Sequence, residues 1–235
     1  MFKALVFDLD DTLYDERSFV MSGFREVSLY VESQYEINHQ KFLEVLIEYL
    51  NKYGRGKLFD LALEKFGIYE TALVNKLVNV YRSHTPIIST YPGVKALLRY
   101  YRKKGKKIVM ITDGSYVVQK SKMKALGLTN MFDLIVYTDY FGERFTKPSL
   151  LPYKLVLEKF NMAGKEAIYI GDNPYKDFIA ANKLGFLTIR INQGAYKDIV
   201  IKQNDKYSNA IYSIDSILQM KKFLESNFPD EKKNI

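Results

Sequence analysis

Two aspartates, Asp8 and Asp10, are the residues of this sequence best suited to carry out chemistry. They follow an apolar run, residues 3–7, that predicts a buried strand. Like charges this close raise the pKa of one carboxyl group and favour a bound cation. A site that holds one ionised and one protonated carboxyl group suits an aspartate nucleophile beside an aspartate general acid and base.

Three later strand-like runs are also followed by polar residues. These runs are residues 106–111, 132–137 and 167–170. The polar residues that follow them are Thr112, Asp113, Gly114, Lys147, Asp172 and Asp177. In an open parallel α/β sheet, ligands bind in the crevice beyond the carboxyl ends of the strands. We therefore expect these residues and the Asp8–Asp10 pair to converge on one site.

A long helical insertion separates the first two predicted strands. Between residues 14 and 90, apolar residues recur at helical spacing in four successive stripes. Four amphipathic helices in sequence predict a small helical bundle. The chain would leave the sheet after the first strand, form this bundle as a cap, and return.

Strands and helices alternate after the insertion, with a fifth strand at residues 186–191 and a closing helix at residues 214–224. This alternation predicts an α/β fold with a parallel sheet and right-handed crossovers. The chain thus divides into three predicted regions: a core of residues 1–13 and 91–228, a helical cap of residues 14–90, and a disordered tail of residues 229–235.

The ordered set of polar motifs resembles the haloacid dehalogenase-like hydrolase superfamily. The motifs are Asp8-x-Asp10, Thr112, Lys147 and Gly171-Asp172-x4-Asp177, each behind its own strand. An Asp-x-Asp pair alone is weak evidence, whereas four motifs in this order across residues 2–224 are specific. The resemblance implies a Rossmann-like parallel sheet of order 5-4-1-2-3, with the helical cap inserted after the first strand.

The resemblance also implies catalytic roles in the hydrolysis of a phosphate monoester. Asp8 would attack phosphorus to form an aspartyl-phosphate. Asp10 would protonate the leaving alkoxide and then take a proton from the hydrolytic water. Lys147 would lie between Asp8 and the phosphoryl group and keep Asp8 ionised.

Binding roles follow from the same resemblance. Thr112, with the Asp113–Gly114 segment, would hold the phosphoryl oxygens. The residues expected to hold a metal ion are Asp8, Asp10 through its backbone carbonyl, Asp172 and Asp177, the last by orienting the metal shell or Lys147. Hard carboxylate oxygens around a phosphate favour Mg²⁺.

A basic segment of the cap is a further candidate for substrate binding. Arg55 and Lys57 alternate with Gly54 and Gly56 between two predicted helices. Glycine permits loop movement, and in similar proteins this region can reach down over the active site. Arg55 and Lys57 are therefore candidate substrate ligands, although a plain interhelical connector fits the pattern equally well.

Composition indicates an ordinary globular protein. Apolar residues make up 47% of the 235 residues, the mean hydropathy is -0.20, and cysteine is absent. No apolar run approaches the roughly 18 residues of a membrane span, and too few residues precede Asp8 for a signal peptide. A cytoplasmic protein that does not bind a membrane is expected. The net charge of +8 is spread over many segments, which favours attraction of anionic phosphates over nucleic-acid binding.

The second aspartate distinguishes between the activities of the superfamily. Dehalogenases lack it because a halide leaves without protonation, so Asp10 favours a phosphatase. A phosphomutase uses the same motifs and remains an alternative. A phospho-acceptor signalling module also uses carboxylates, Thr and Lys, but the long insertion argues against it. The expected activity is Mg²⁺-dependent hydrolysis of a small phosphate, such as a nucleotide, flavin mononucleotide or sugar phosphate, by a monomer or homodimer.

Overall fold

The computed structural model describes residues 2–200 and 207–229, which form two compact units. The first consists of the described residues of Met1–Glu16 and Ser89–Ile235, and the second is Arg17–Ile88. Apart from Pro229, the predicted tail at residues 229–235 lies outside the described residues. In the part of the chain that is described, no helix has both the length and the apolar character to cross a bilayer.

The first unit is built on a parallel sheet of six strands. The strands are β1 (Ala4–Phe7), β2 (Lys107–Thr112), β3 (Leu134–Tyr137), β4 (Ala167–Gly171), β5 (Leu187–Ile191) and β6 (Tyr212–Ile214). Their order is β3-β2-β1-β4-β5-β6. The predicted order 5-4-1-2-3 is thus confirmed for five strands, and β6 extends the sheet beside β5. Every residue of β1 is buried, as its apolar run predicts for a central strand.

The helices of the described residues fall into two groups, those of the insertion and those that follow it. Those of the insertion are α1 (Glu16–Tyr35), α2 (His39–Tyr53), α3 (Leu58–Lys65) and α4 (Thr71–Ser83). Those that follow it are α5 (Val94–Lys103), α6 (Tyr116–Ala125), α7 (Leu151–Lys159), α8 (Asp177–Lys183) and α9 (Met220–Asn227).

The predicted closing helix at residues 214–224 begins too early, because Ile214 ends a strand, and a 3-10 helix, Ile217–Gln219, precedes α9. Tyr212–Ile214 instead forms β6 and pairs with β5, with Ile189 opposite Tyr212. The helix α9 begins only at Met220. Three residues are too few for a two-residue period to stand out from a helical one, and Ile214 is buried in either arrangement.

The second unit has an apolar core of its own. The predicted helical stripes meet there, and its buried members are Val20, Phe24, Val27, Val31, Phe42, Val45, Leu46, Leu58, Ala62, Leu63, Leu73 and Leu77. Asn38 begins α2 by accepting hydrogen bonds from two backbone N–H groups. Gly54 ends the same helix with φ 74°, a conformation that favours glycine.

The chain leaves and re-enters the first unit through two segments that pair with each other. Tyr14 and Thr90, which the sequence analysis placed at the ends of the cap, form an antiparallel bridge within the first unit. The backbone N–H of Tyr91 donates to the carbonyl of Leu13 at 2.9 Å. The two ends of the insertion are therefore joined by hydrogen bonds of the sheet unit itself.

Candidate active site

The carboxyl end of β1 places Asp8 among the ends of its neighbouring strands. Phe7 lies in register with Met110 of β2 and with Ile170 of β4. The backbone N–H of Asp8 donates to the Ile170 carbonyl at 2.9 Å, which continues the β1–β4 pairing by one residue. The residues that follow the three strands therefore meet at one edge, as the sequence predicts for a parallel sheet.

Lys147 links two carboxylates at this edge. Its Nζ donates to Asp8 Oδ1 at 2.6 Å and to Asp177 Oδ1 at 2.7 Å, and the Tyr169 hydroxyl lies 3.2 Å away. The side chain is fully buried. Burial alone would lower the pKa of Lys147, but Asp177 and Asp8 raise it well above its ordinary value. Lys147 is therefore a fixed cation beside Asp8.

Three carboxylates form a cluster near Lys147. Asp8, Asp172 and Asp177 each offer an oxygen, and these oxygens lie within 4.8 Å of one another. Burial raises the pKa of Asp8 to about 7, despite Lys147, and Asp177 adds to the effect. Burial, with Asp177 and Asp8, raises the pKa of Asp172 to about 9. Lys147 lowers the pKa of Asp8, but burial and Asp177 outweigh it, and the role of Lys147 in keeping Asp8 ionised stays a prediction.

The donor set of this cluster fits a divalent cation. Carboxylate oxygens are the ligands that Mg²⁺ prefers, and the raised pKa values of Asp8 and Asp172 show how poorly their negative charges are balanced. A bound cation would remove that imbalance and leave both carboxylates ionised. Asp8 and Asp172 are therefore the side chains that would hold the ion.

Asp177 is engaged on both of its oxygens. Oδ1 accepts from Lys147, and Oδ2 accepts from the backbone N–H of Asn173 at 2.9 Å. The side chain is fully buried. A Cβ atom on Gly171 would lie 2.5 Å from Asp177 Oδ2, so the position before Asp172 must be glycine for Asp177 to approach. These contacts suit the predicted role of Asp177 in orienting Lys147.

Asp10 lies outside this acidic cluster and forms an ion pair with a different lysine, Lys122. Lys122 Nζ donates to Asp10 Oδ1 at 2.6 Å, and the Tyr14 hydroxyl donates to the same oxygen. Gln119 Nε2 donates to Asp10 Oδ2 at 2.7 Å. Burial alone would raise the pKa of Asp10, but Lys122, Tyr14 and Gln119 together lower it below its ordinary value. The two carboxyl groups of the Asp-x-Asp pair thus have opposite pKa shifts.

Lys122 and Gln119 were not identified from the sequence. Lysines at positions 120, 122 and 124 alternate along α6. Residues two apart in a helix do not share a face, so this pattern alone does not show which of them is buried. The only available signal was that α6 begins directly after the Thr112–Gly114 segment, so its first two turns must lie near the site.

The carboxylate of Asp113 organises the loop that carries Lys147. Its Oδ1 accepts from Thr138 Oγ1 at 2.8 Å and from the backbone N–H of Lys147 at 3.2 Å. Its Oδ2 accepts from Lys176 Nζ at 3.3 Å. Burial would raise its pKa, but Lys147 and Lys176 lower it. Its hydrogen-bond partners are thus distant in sequence, and substrate binding by Asp113 stays a prediction.

Thr112 and Gly114 flank Asp113 at the end of β2. Thr112 is buried, and its Oγ1 accepts a hydrogen bond from Gln119 Nε2 at 2.6 Å. Gly114 has φ 104°, which favours glycine and lets the chain turn from β2 into α6. Their predicted contacts with phosphoryl oxygens stay predictions.

Arg55 and Lys57 lie in the second unit, in the loop between α2 and α3 that the sequence predicts. Both are exposed, and both line a cavity of about 220 Å³ within that unit. Arg82 and Asp60 are the other charged residues of its wall, and the remaining lining residues are Val20, Phe24, Leu58, Phe59, Val74, Val78 and Tyr81. Contact of Arg55 and Lys57 with substrate stays a prediction.

Comparison with known proteins identifies relatives over most of the chain. The family model described as haloacid dehalogenase-like hydrolase matches residues 5–191. Glyceraldehyde 3-phosphate phosphatase of Methanocaldococcus jannaschii is 31% identical over 225 residues, covering 94% of this chain and 96% of that protein. The enzyme of the same name from Methanopyrus kandleri is 30% identical, covering 87% and 90%.

A solved structure with a similar fold is that of 2-haloacid dehalogenase from Pseudomonas syringae pv. Tomato. It has a TM-score of 0.64 and 20% sequence identity, covering 96% of this chain and 99% of that one. At that identity the likeness concerns the fold alone.

Proposed function

The chain belongs to the haloacid dehalogenase-like hydrolases and is a phosphatase of that family, and we propose that it hydrolyses a small sugar phosphate through an aspartyl-phosphate. This proposal rests on one observation: the two aspartates of the Asp-x-Asp pair have different hydrogen-bond partners. Asp8 is bonded to Lys147, and Asp10 is bonded to Lys122, each at 2.6 Å. Each carboxyl group can therefore take a different part in one reaction.

The reaction proceeds in two displacements at phosphorus. Asp10 must first take up a proton, against the lowering of its pKa by Lys122, Tyr14 and Gln119. An oxygen of Asp8 then attacks phosphorus, the ester P–O bond breaks, and the leaving alkoxide takes the proton from Asp10. Water then attacks the aspartyl-phosphate, Asp10 accepts a proton from that water, and the bond between Asp8 and phosphorus breaks to release inorganic phosphate. Asp8 and Asp10 end in their starting states, so the cycle is closed.

The phosphoryl group is negatively charged, so the site must supply positive charge. Lys147 supplies a fixed cation beside Asp8, and Thr112 supplies a hydroxyl donor. Asp8, Asp172 and the backbone carbonyl of Asp10 would hold Mg²⁺, with Asp177 orienting Lys147. Mg²⁺ bound there would neutralise part of the negative charge on the phosphoryl oxygens.

A loss of stability on raising the pH is expected for the protein in excess chelator. The pKa values of Asp8 and Asp172 are above the ordinary value of 3.8. The folded protein therefore binds more protons than the unfolded chain between about pH 4 and pH 9, and the free energy of unfolding falls across that window. Thermal unfolding at about pH 5.5 and pH 8.5 should show a lower Tm at the higher pH. Adding Mg²⁺ should restore Tm most at pH 8.5, because the ion binds the folded state.

The matched control for this measurement is Asp172→Asn, which keeps the shape of the side chain and removes one negative charge. In chelator, this variant should lose less stability between the two pH values, and Mg²⁺ should raise its Tm less. A wild-type Tm that is independent of pH and of Mg²⁺ would argue against a metal site at Asp8 and Asp172.

The substrate class follows from the relatives. The two curated proteins described above are named glyceraldehyde 3-phosphate phosphatases, so a three-carbon sugar phosphate is the substrate we propose. Arg55, Lys57 and Arg82 line the cap cavity together with mainly apolar residues, and their N–H groups can donate hydrogen bonds to the hydroxyl and carbonyl oxygens of a small ligand. We propose that Arg55 and Lys57 bind the part of the substrate that does not react.

The experiment that tests this function measures phosphate release with Mg²⁺ from glyceraldehyde 3-phosphate and from acetyl phosphate, which lacks the sugar. The wild type should hydrolyse both. Arg55→Ala should raise KM for glyceraldehyde 3-phosphate about tenfold, equivalent to about 1.4 kcal/mol, and leave acetyl phosphate nearly unchanged. Release from neither substrate would refute the function, whereas equal responses of the two to Arg55→Ala would refute only the cap contact.

The relatives' names support hydrolysis over the phosphomutase and dehalogenase alternatives. Membership of a family of hydrolases also argues against a phospho-acceptor signalling module. The predicted cytoplasmic location and the predicted monomer or homodimer stay predictions.

A further inference from the structure

Two long polar side chains of helix α6 are buried in the interior of the first unit. Gln119 and Lys122 are only 2% and 3% exposed. They are three residues apart and so share a face of the helix, while Lys120 and Lys124 on the same helix are exposed. Glutamine and lysine are rarely this buried unless their polar atoms are paired. Their partners therefore indicate what this face of α6 is for.

Both side chains end on the Asp10 carboxylate. Lys122 Nζ fixes Oδ1 at 2.6 Å and also lies 3.7 Å from Glu16 Oε1. Gln119 Nε2 fixes Oδ2 at 2.7 Å. Tyr14 adds a second donor to Oδ1. Because separate groups hold the two oxygens, the carboxylate cannot rotate without breaking a charge-assisted hydrogen bond.

Gln119 also reaches the neighbouring candidate phosphate ligand. Its Nε2 donates to Thr112 Oγ1 at 2.6 Å as well as to Asp10, which uses both amide hydrogens. Thr112 accepts this bond through its oxygen, so its own hydroxyl hydrogen can be donated to another group. One amide thus sets the orientation of the Asp10 carboxylate and of the Thr112 hydroxyl together.

We propose that Lys122 and Gln119 are positioning residues for phosphoryl transfer, acting through Asp10 and Thr112. This inference rests on the proposed function and adds to it. Proton transfer to a leaving oxygen requires the acid to be aligned with that oxygen, and fixed groups avoid the cost of aligning them during the reaction. A stabilising ion pair with no part in alignment would produce the same burial, so the test must separate alignment from stability.

The test compares kcat/KM for a simple alkyl phosphate and for p-nitrophenyl phosphate, whose leaving group needs little protonation. In Lys122→Met, kcat/KM should fall about 100-fold for the alkyl ester and about fivefold or less for the aryl ester. Lys124→Met, the same change at an exposed position of α6, should leave both values unchanged. Lys122→Arg, which restores a cation, should return the ratio of the two substrates towards the wild-type value.

A second readout follows the aryl ester before steady state. If Asp10 is misaligned, water attacks the aspartyl-phosphate slowly, and Lys122→Met should release a burst of nitrophenolate close to one equivalent of enzyme. Equal losses on both substrates without a burst would show that Lys122 only stabilises the fold, and would overturn the inference.

Gln119→Met is a second test variant. Replacing Lys122 leaves the buried Asp10 charge unpaired and could prevent folding, whereas Gln119→Met changes no charge. It should lower kcat/KM about tenfold for the alkyl ester and much less for the aryl ester. A wild type inactive on every phosphate ester would refute the proposed function. An active wild type whose Lys122 and Gln119 variants lose the same factor on both esters would refute only the positioning roles.

Discussion

Asp8→Asn is expected to abolish phosphate release while leaving the protein folded. The amide is a poor nucleophile, so turnover should fall by at least about 10⁴-fold. The carbonyl oxygen of asparagine can still accept the hydrogen bond from Lys147. One of three crowded negative charges is lost, so stability near neutral pH should be unchanged or greater. Phosphate release and circular dichroism would be measured on the same preparation.

Mass spectrometry adds a direct test of the intermediate. Wild-type protein quenched in acid during turnover should carry one phosphoryl group on the peptide that contains Asp8, and the Asp8→Asn protein should carry none. Asp198→Asn, the same change at an exposed site, should behave as the wild type. Full turnover by Asp8→Asn, or a phosphoryl group on another residue, would remove Asp8 as the nucleophile.

Asp10→Asn should harm substrates in proportion to the basicity of their leaving group. An asparagine cannot donate the proton that an alkoxide needs, so kcat/KM for an alkyl phosphate should fall about 10³-fold. For p-nitrophenyl phosphate the first step needs little protonation, and kcat/KM should fall only about tenfold. Steady-state kinetics on both esters, with Mg²⁺ saturating, would measure the difference.

Losses of the same size on both esters would show that Asp10 acts through position or through the metal site. The side-chain carbonyl of asparagine can still accept hydrogen bonds from Lys122 and Tyr14. Its amide nitrogen cannot accept from Gln119, so the Gln119 amide must turn and present its oxygen. A Tm close to that of the wild type is the control for this point.

Much of the site was predictable because parallel strands obey a simple rule. Asp8, Thr112 and Asp172 each follow a buried apolar run, and parallel strands in register bring such positions to one edge. The meeting of Lys147 with Asp8 and Asp177 follows from the family resemblance, since the nine residues between β3 and Lys147 have no regular pattern in the sequence.

Other parts of the site depend on tertiary contacts that leave no mark in the sequence. Lys122 is chemically identical to the exposed Lys120 and Lys124, and only the direction of α6 buries it. The pKa of Asp8 depends on how far burial and neighbouring carboxylates outweigh Lys147, which a motif cannot express. The strand β6 was missed because three residues carry too little periodicity.

The hydrogen bonds that join Leu13 to Tyr91 and Tyr14 to Thr90 have an evolutionary consequence. They join the two ends of the insertion within the sheet unit, so the backbone pairing of that unit does not depend on what lies between residues 17 and 88. Insertions are tolerated where the two ends of a segment lie close together. The helical segment can therefore be lengthened, or replaced by a different segment, without a change in this pairing. Such changes in the helical segment would leave Asp8 and Asp10, which lie in the sheet unit, in place.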